Sequence, residues 1–114
     1  MTAGVILKRG DLILAASSSD YGKPRPNLVI QSNAFSNMPS VTVCPLTSDL
    51  QKIAPLFRII IDPSTENGLH LPSQIAVDRI TTLPTTRIAA KLGTADDDVM
   101  LQVTRALAVF LGIS

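Results

Sequence analysis

Two short apolar runs, Leu28–Ile30 and Val41–Leu46, constrain this chain more than any other feature. Both lie within residues 21–48, YGKPRPNLVIQSNAFSNMPSVTVCPLTS. Each reads as a strand, and each adjoins a polar group able to handle phosphate. Arg25 precedes the first run, and Thr47 and Ser48 follow the second. Antiparallel pairing would bring the end of one run near the start of the other, setting Arg25 and Thr47 on one rim of a sheet. Pro24 and Pro26 fix φ and disfavour helix, so the Arg25 backbone is extended and stiff. A guanidinium held this way beside a hydroxyl suits a phosphodiester. The alternative is an exposed loop arginine and an ordinary strand-end threonine.

The 114 residues predict one domain, 1–114, that can bury a core without disulfides or metal. Hydrophobic residues at 46% against 17% charged exclude a disordered chain and leave room for an apolar interface. No apolar run approaches the roughly 20 residues that span a bilayer. MTAGVILKRGD at the start lacks the basic and long apolar regions of a signal peptide. Cys44, the single cysteine, reads as a small core residue, and a reducing cytoplasm is the simplest compartment. A net charge of +1 does not announce a nucleic-acid binder. Residues 1–95 nevertheless hold nine basic and six acidic groups, or +3, while Arg105 and Asp96–Asp98 leave the remainder at −2.

Along the chain, VILKRGDLILAA (5–16) reads as a first strand interrupted at Gly10. The RGD step is no adhesion signal between apolar flanks with no secretion signal before it. Residues 17–24 are a loop, Asn27–Gln31 the second strand and Val41–Leu46 the third. SDLQKIAPL (48–56) predicts a short helical turn capped by Ser48. Phe57–Asp62 reads as a strand buried on both faces. Asn67-Gly68 marks a turn, and His70, the only histidine, reads as a partly buried loop residue with a general-base role open. It has no neighbours at zinc-ligand spacing. Gln74–Leu83 reads as a continuous strand with Asp78 and Ala76 on one face. Asp78 would be costly to bury unless paired or used. Thr85–Gly93 adds a last short strand. Thr94 is the N-cap candidate for a closing helix whose stripe is Val99, Val103, Ala106, Leu107, Phe110 and Leu111, with Gly112 as its stop. Five or six short, mostly antiparallel strands and this helix make an α+β fold, a small curled sheet or barrel.

KRGDL, GKPRPNLVIQS, VTVCPLTS, PSQIAVDRITTL and the closing RALAVFLGI together resemble the MazF/PemK toxin endoribonucleases, in order and over nearly the whole chain. The resemblance implies a strongly curled, SH3-like antiparallel barrel with a C-terminal helix, related to the gyrase poison CcdB. It implies a cytoplasmic homodimer, without metal or other cofactor, that cuts single-stranded mRNA and is neutralised by an antitoxin. The ends left would be a 2′,3′-cyclic phosphate and a 5′-hydroxyl. The family's RP arginine falls on Arg25, its strand-end threonine on Thr47, and its acidic position on Asp78; these are the implied catalytic residues. Lys23, Ser48 and Arg79 are the implied RNA contacts. Arg79 replaces the usual glutamine, Ala76 stands where one branch has arginine, and residues 17–24 lack that branch's histidine; His70 does not inherit its role by alignment. A non-catalytic, CcdB-like gyrase binder is the alternative, but that branch carries a C-terminal tryptophan and this chain has none.

Overall fold

The computed structural model describes residues 6–16, 23–52 and 56–113. Its strands are β1 (Asp11–Ala15), β2 (Arg25–Val29), β3 (Ser40–Thr47), β4 (Arg58–Ile61), β5 (Ser73–Ala76), β6 (Thr81–Pro84) and β7 (Ile88–Thr94). One α-helix, α1 (Asp97–Phe110), follows them. β3 is the hub, pairing antiparallel with β2 along one edge and with both β5 and β6 along the other. Its alternation buries residues on both faces. Leu12, Leu28, Cys44 and Ile75 pack with Val103, Ala106 and Leu107 of α1, while Ile13, Val29, Val41, Val43 and Leu83 fill a second cluster. Burial in the first cluster pushes the Cys44 thiol up to about 12, so it is an inert core residue.

The expected strongly curled barrel is not what these ladders form. Hydrogen-bonded neighbours run β4–β5–β3–β2–β1–β7, with β6 as a further partner of β3. Among the described residues no ladder joins the outer strands β4 and β7. Because β5 and β6 share one edge of β3, the chain doubles along that edge instead of extending the sheet towards closure. The sheet is open and antiparallel.

The continuous strand expected over Gln74–Leu83 is broken for the same reason. Leu46 opposes Ile75, whereas Val43 opposes Thr81. Three residues along β3 are thus matched by six along its partner, and the surplus forms a 3-10 turn, Val77–Arg79. Asp78 and Arg79 therefore sit in a turn, not on a strand face. The first strand is also shorter than expected. Gly10 has φ 98°, and the turn before it is closed by Asp11 N–H donating to the Lys8 carbonyl at 3.0 Å. The RGD arginine and aspartate are structural: Arg9 donates to the Ile30 carbonyl and, at 2.9 Å, to Thr104 Oγ1 on α1. Asp11 is buried, 3.3 Å from Lys91 Nζ.

Three further expectations change. Residues 48–52 form no helix, residues 53–55 lie outside the described residues, and the Gln51 N–H that a Ser48 cap would take is donated to Gln74 Oε1 at 3.0 Å. β4 is not buried on both faces, since Ile60 is 57% exposed between buried Ile59 and Ile61. The N-cap is Asp96, not Thr94, because Asp96 accepts from Val99 N–H at 2.8 Å while Thr94 donates its N–H to the Glu66 carbonyl. Val103, Ala106 and Leu107 of the stripe are buried, but Phe110 and Leu111 are nearly half exposed. Gly112, at φ 70°, ends the helix.

Candidate active site

Arg25 opens β2, directly after Pro24, and is exposed. The β2–β3 ladder opposes Asn27 to Pro45 and Leu28 to Cys44. Continued at the same register, it sets Arg25 level with Thr47. Buried Asn27 donates its Nδ2 to the Arg25 carbonyl at 2.9 Å, which ties down the backbone from which Arg25 projects. Thr47 Oγ1 accepts from Asp49 N–H, so its own hydroxyl hydrogen stays available as a donor. Behind it, buried Gln74 exchanges two hydrogen bonds with the Gln51 backbone, at 3.0 and 3.1 Å, and holds the 48–52 segment against β5. Lys23 and Ser48 are exposed beside the two strand ends.

At this rim lies an open groove of about 220 Å³, lined by Arg25, Ser48 and His70 with walls from Leu46, Leu69 and Leu71. His70 is exposed, not partly buried as its leucine neighbours suggested. Its loop is built by Asn67, whose Oδ1 accepts from the N–H groups of Ser64 (3.0 Å) and Leu69 (2.9 Å) while its Nδ2 donates to the Asp62 carbonyl (2.8 Å). Two glycines seat the loop on β7. A Cβ on Gly68 would lie 2.2 Å from the Leu92 carbonyl oxygen, and one on Gly93 would lie 2.2 Å from that of Glu66.

Asp78 is elsewhere. Thr47 is level with Gln74, so the Val77–Arg79 turn lies on the order of 10 Å back along the β3 edge. There Arg58 of β4 donates to both Asp78 oxygens, at 2.8 and 3.0 Å, with side chains only 10% and 24% exposed. These hydrogen bonds, foremost, hold the Asp78 carboxyl below the usual carboxylate range and raise Arg58. Of the residues singled out from the sequence, Arg25, Thr47, Ser48 and Lys23 gather at one rim, whereas Asp78 and exposed Arg79 do not join them. Arg58 was missed because its partner is set by cross-strand pairing; His70 was missed as a neighbour of Arg25 because loop placement leaves no mark in local sequence. Among the described residues, no three His, Cys, Asp or Glu side chains are grouped to hold a metal, and no helix is long and apolar enough to cross a membrane.

This architecture has known counterparts. Residues 8–111 match the family described as PemK-like, MazF-like toxin of type II toxin-antitoxin system. The chain is 41% identical over 109 residues to a probable endoribonuclease MazF of Mycolicibacterium smegmatis, covering 95% of this chain and 99% of that protein. It is 34% identical to endoribonuclease EndoA of Bacillus subtilis, covering 96% and 97%. The fold is similar to the MazE–MazF crystal structure (form II) from Deinococcus radiodurans, with TM-score 0.77 and 26% identity over 96% of this chain and 99% of that one. It also matches an endoribonuclease in complex with its cognate antitoxin from a mycobacterial species, at TM-score 0.79 and 23% identity over 95% and 97%, a likeness of fold. With the family model covering nearly its whole length, the chain belongs to the PemK-like, MazF-like toxins of type II toxin–antitoxin systems.

Proposed function

We propose that this protein is the toxin of such a pair, an endoribonuclease that cuts single-stranded mRNA in the cytoplasm with Arg25 and Thr47 at the scissile phosphate. One observation carries the assignment of the site: the β2–β3 register, continued, sets Arg25, which lines an open groove, level with Thr47. Charge accumulates on the non-bridging phosphate oxygens as the chain is cut, and fixed donors aimed there supply most of the help. Arg25 offers a planar two-donor fork and Thr47 one hydroxyl. Lys23 and Ser48 extend the donor surface along the RNA. Asp78 is a weak base in this setting, since Arg58 occupies both its oxygens. Arg79, exposed beside it, serves only an RNA long enough to run along the β3 edge.

Attack by the 2′-hydroxyl leaves a 2′,3′-cyclic phosphate and a 5′-hydroxyl. The protein acts as a homodimer, whose second copy covers apolar surface at the C-terminal end of α1, where Leu56, Val109 and Ile113 are 74%, 60% and 76% exposed. An antitoxin segment that is acidic and apolar lies along the Arg25 groove and blocks it. The test is incubation of the purified protein with a long single-stranded RNA in EDTA, with analysis of the new ends. Cleavage with cyclic phosphate and 5′-hydroxyl ends is expected. Intact RNA, or cleavage only after magnesium is added, contradicts the reading.

A further inference from the structure

We propose that His70 is the proton acceptor for the attacking 2′-hydroxyl, an inference that rests on the endoribonuclease reading above. Among the described residues that line the groove, Arg25 supplies charge stabilisation and His70 is the one side chain of base type. Arginine does not give up its proton in proteins, a neutral threonine hydroxyl is a poor base, and Asp78 is distant and paired. Of the titratable and charged side chains lining the groove among the described residues, β2 contributes Arg25 and the β4–β5 loop His70. β3 contributes Leu46, the segment after it Ser48, and β5 Ser73, none of them charged. His70 is exposed to an incoming strand, yet its loop is held by the Asn67 hydrogen bonds and by the Gly68 and Gly93 contacts with β7. An imidazole on an anchored loop and a guanidinium suited to phosphate thus line one groove with apolar walls, which brings a base and a charge-stabilising donor to the same bound phosphodiester.

In the step, a neutral imidazole nitrogen takes the 2′-hydroxyl proton while O2′ forms its bond to phosphorus. The P–O5′ bond breaks, O5′ leaves with the electron pair and takes a proton from water, and the imidazolium proton neutralises the hydroxide produced. Arg25 stays protonated throughout.

The experiment measures single-turnover cleavage in EDTA between pH 5 and 8, the range in which histidine ordinarily changes charge. It compares wild type, His70→Ala, His70→Gln and Arg25→Ala, with melting curves on each. The wild-type rate should rise with pH. His70→Ala and His70→Gln should be slower by about 100-fold or more and lose that rise, and added imidazole should restore part of the His70→Ala rate. Arg25→Ala should be slow but keep the rise. Wild-type rates or an unchanged pH profile in either His70 variant overturn the proposal while the endoribonuclease reading stands. Full activity of His70→Gln alone does so as well, because an amide cannot take the proton. If His70→Ala fails to fold, His70→Gln decides. Wild-type protein that leaves RNA intact overturns the endoribonuclease reading and His70 with it.

Discussion

On opposite edges of β3 stand two arginine-containing sites that differ in what the arginine faces. At the strand's end Arg25 is exposed, level with a threonine hydroxyl, at a groove it shares with the only histidine. About two pairs back, Arg58 is nearly buried, and both Asp78 oxygens accept from it. The first arrangement sets an exposed guanidinium at the wall of an open groove that an anionic ligand can enter. The second is a nearly buried ion pair, its anion supplied by the chain itself. An arginine–carboxylate pair is thus no sign of chemistry here; the pair holds β4 against the turn that links β5 to β6.

The largest effect expected from breaking this contrast is on catalysis. Arg25→Ala removes a fixed donor to the developing charge and should slow cleavage about 100- to 1000-fold. Arg25 is exposed, so stability should change by no more than about 0.5 kcal/mol, measured by urea unfolding. Arg25→Lys should recover only part of the rate, because an ammonium lacks the planar fork.

Next comes the scaffold that gives the groove its far wall. Gly93→Ala would drive a methyl into the Glu66 carbonyl and the Asn67 backbone, groups that have no side-chain freedom to yield. We expect a loss of about 1–3 kcal/mol in urea unfolding, with slower cleavage as the His70 loop shifts.

The Arg58–Asp78 pair should show the opposite profile to Arg25. Asp78→Ala leaves a nearly buried guanidinium without its partner and should cost about 2 kcal/mol. The pair also sets an acid limit. Arg58 lowers the folded-state value of Asp78, so the unfolded chain takes up the proton first as pH falls. The stabilisation is therefore complete above the unfolded value of about 3.9 and is lost as pH drops through the lower folded value. Unfolding free energies measured from pH 5 downward should fall less steeply in Asp78→Asn than in wild type.

The smallest effect is at Thr47. Thr47→Ala removes one neutral donor and should slow cleavage on the order of tenfold, less than Arg25→Ala in the same single-turnover assay.

How legible these regions were follows from what fixes each. The Arg25–Thr47 rim could be read because period-two pairing of two apolar runs, with prolines stiffening one end, leaves little choice of register. The break after Ala76 could not. QIAVDRITTL has the pattern of one strand, and the three-residue surplus exists only relative to β3. The curled barrel failed for the same cause, since two strands sharing one edge cannot be told from two lying side by side. His70 lay furthest out of reach, because its loop is placed by contact between Gly68 and Leu92, far apart in the chain. In the helix, Thr94 and Asp96 are both suitable caps by residue type, and because pairing with β1 carries β7 through Thr94, the helix starts later and Asp96 accepts from Val99 N–H.

The most direct test of the contrast measures rate and stability together, for Arg25→Ala and Asp78→Asn, on one RNA under conditions where both variants are folded. The account predicts that Arg25→Ala melts like wild type and cleaves about 100- to 1000-fold more slowly, while Asp78→Asn is less stable and cleaves at close to the wild-type rate. Wild-type cleavage by Arg25→Ala, together with loss of cleavage in a fully stable Asp78→Asn, would contradict it.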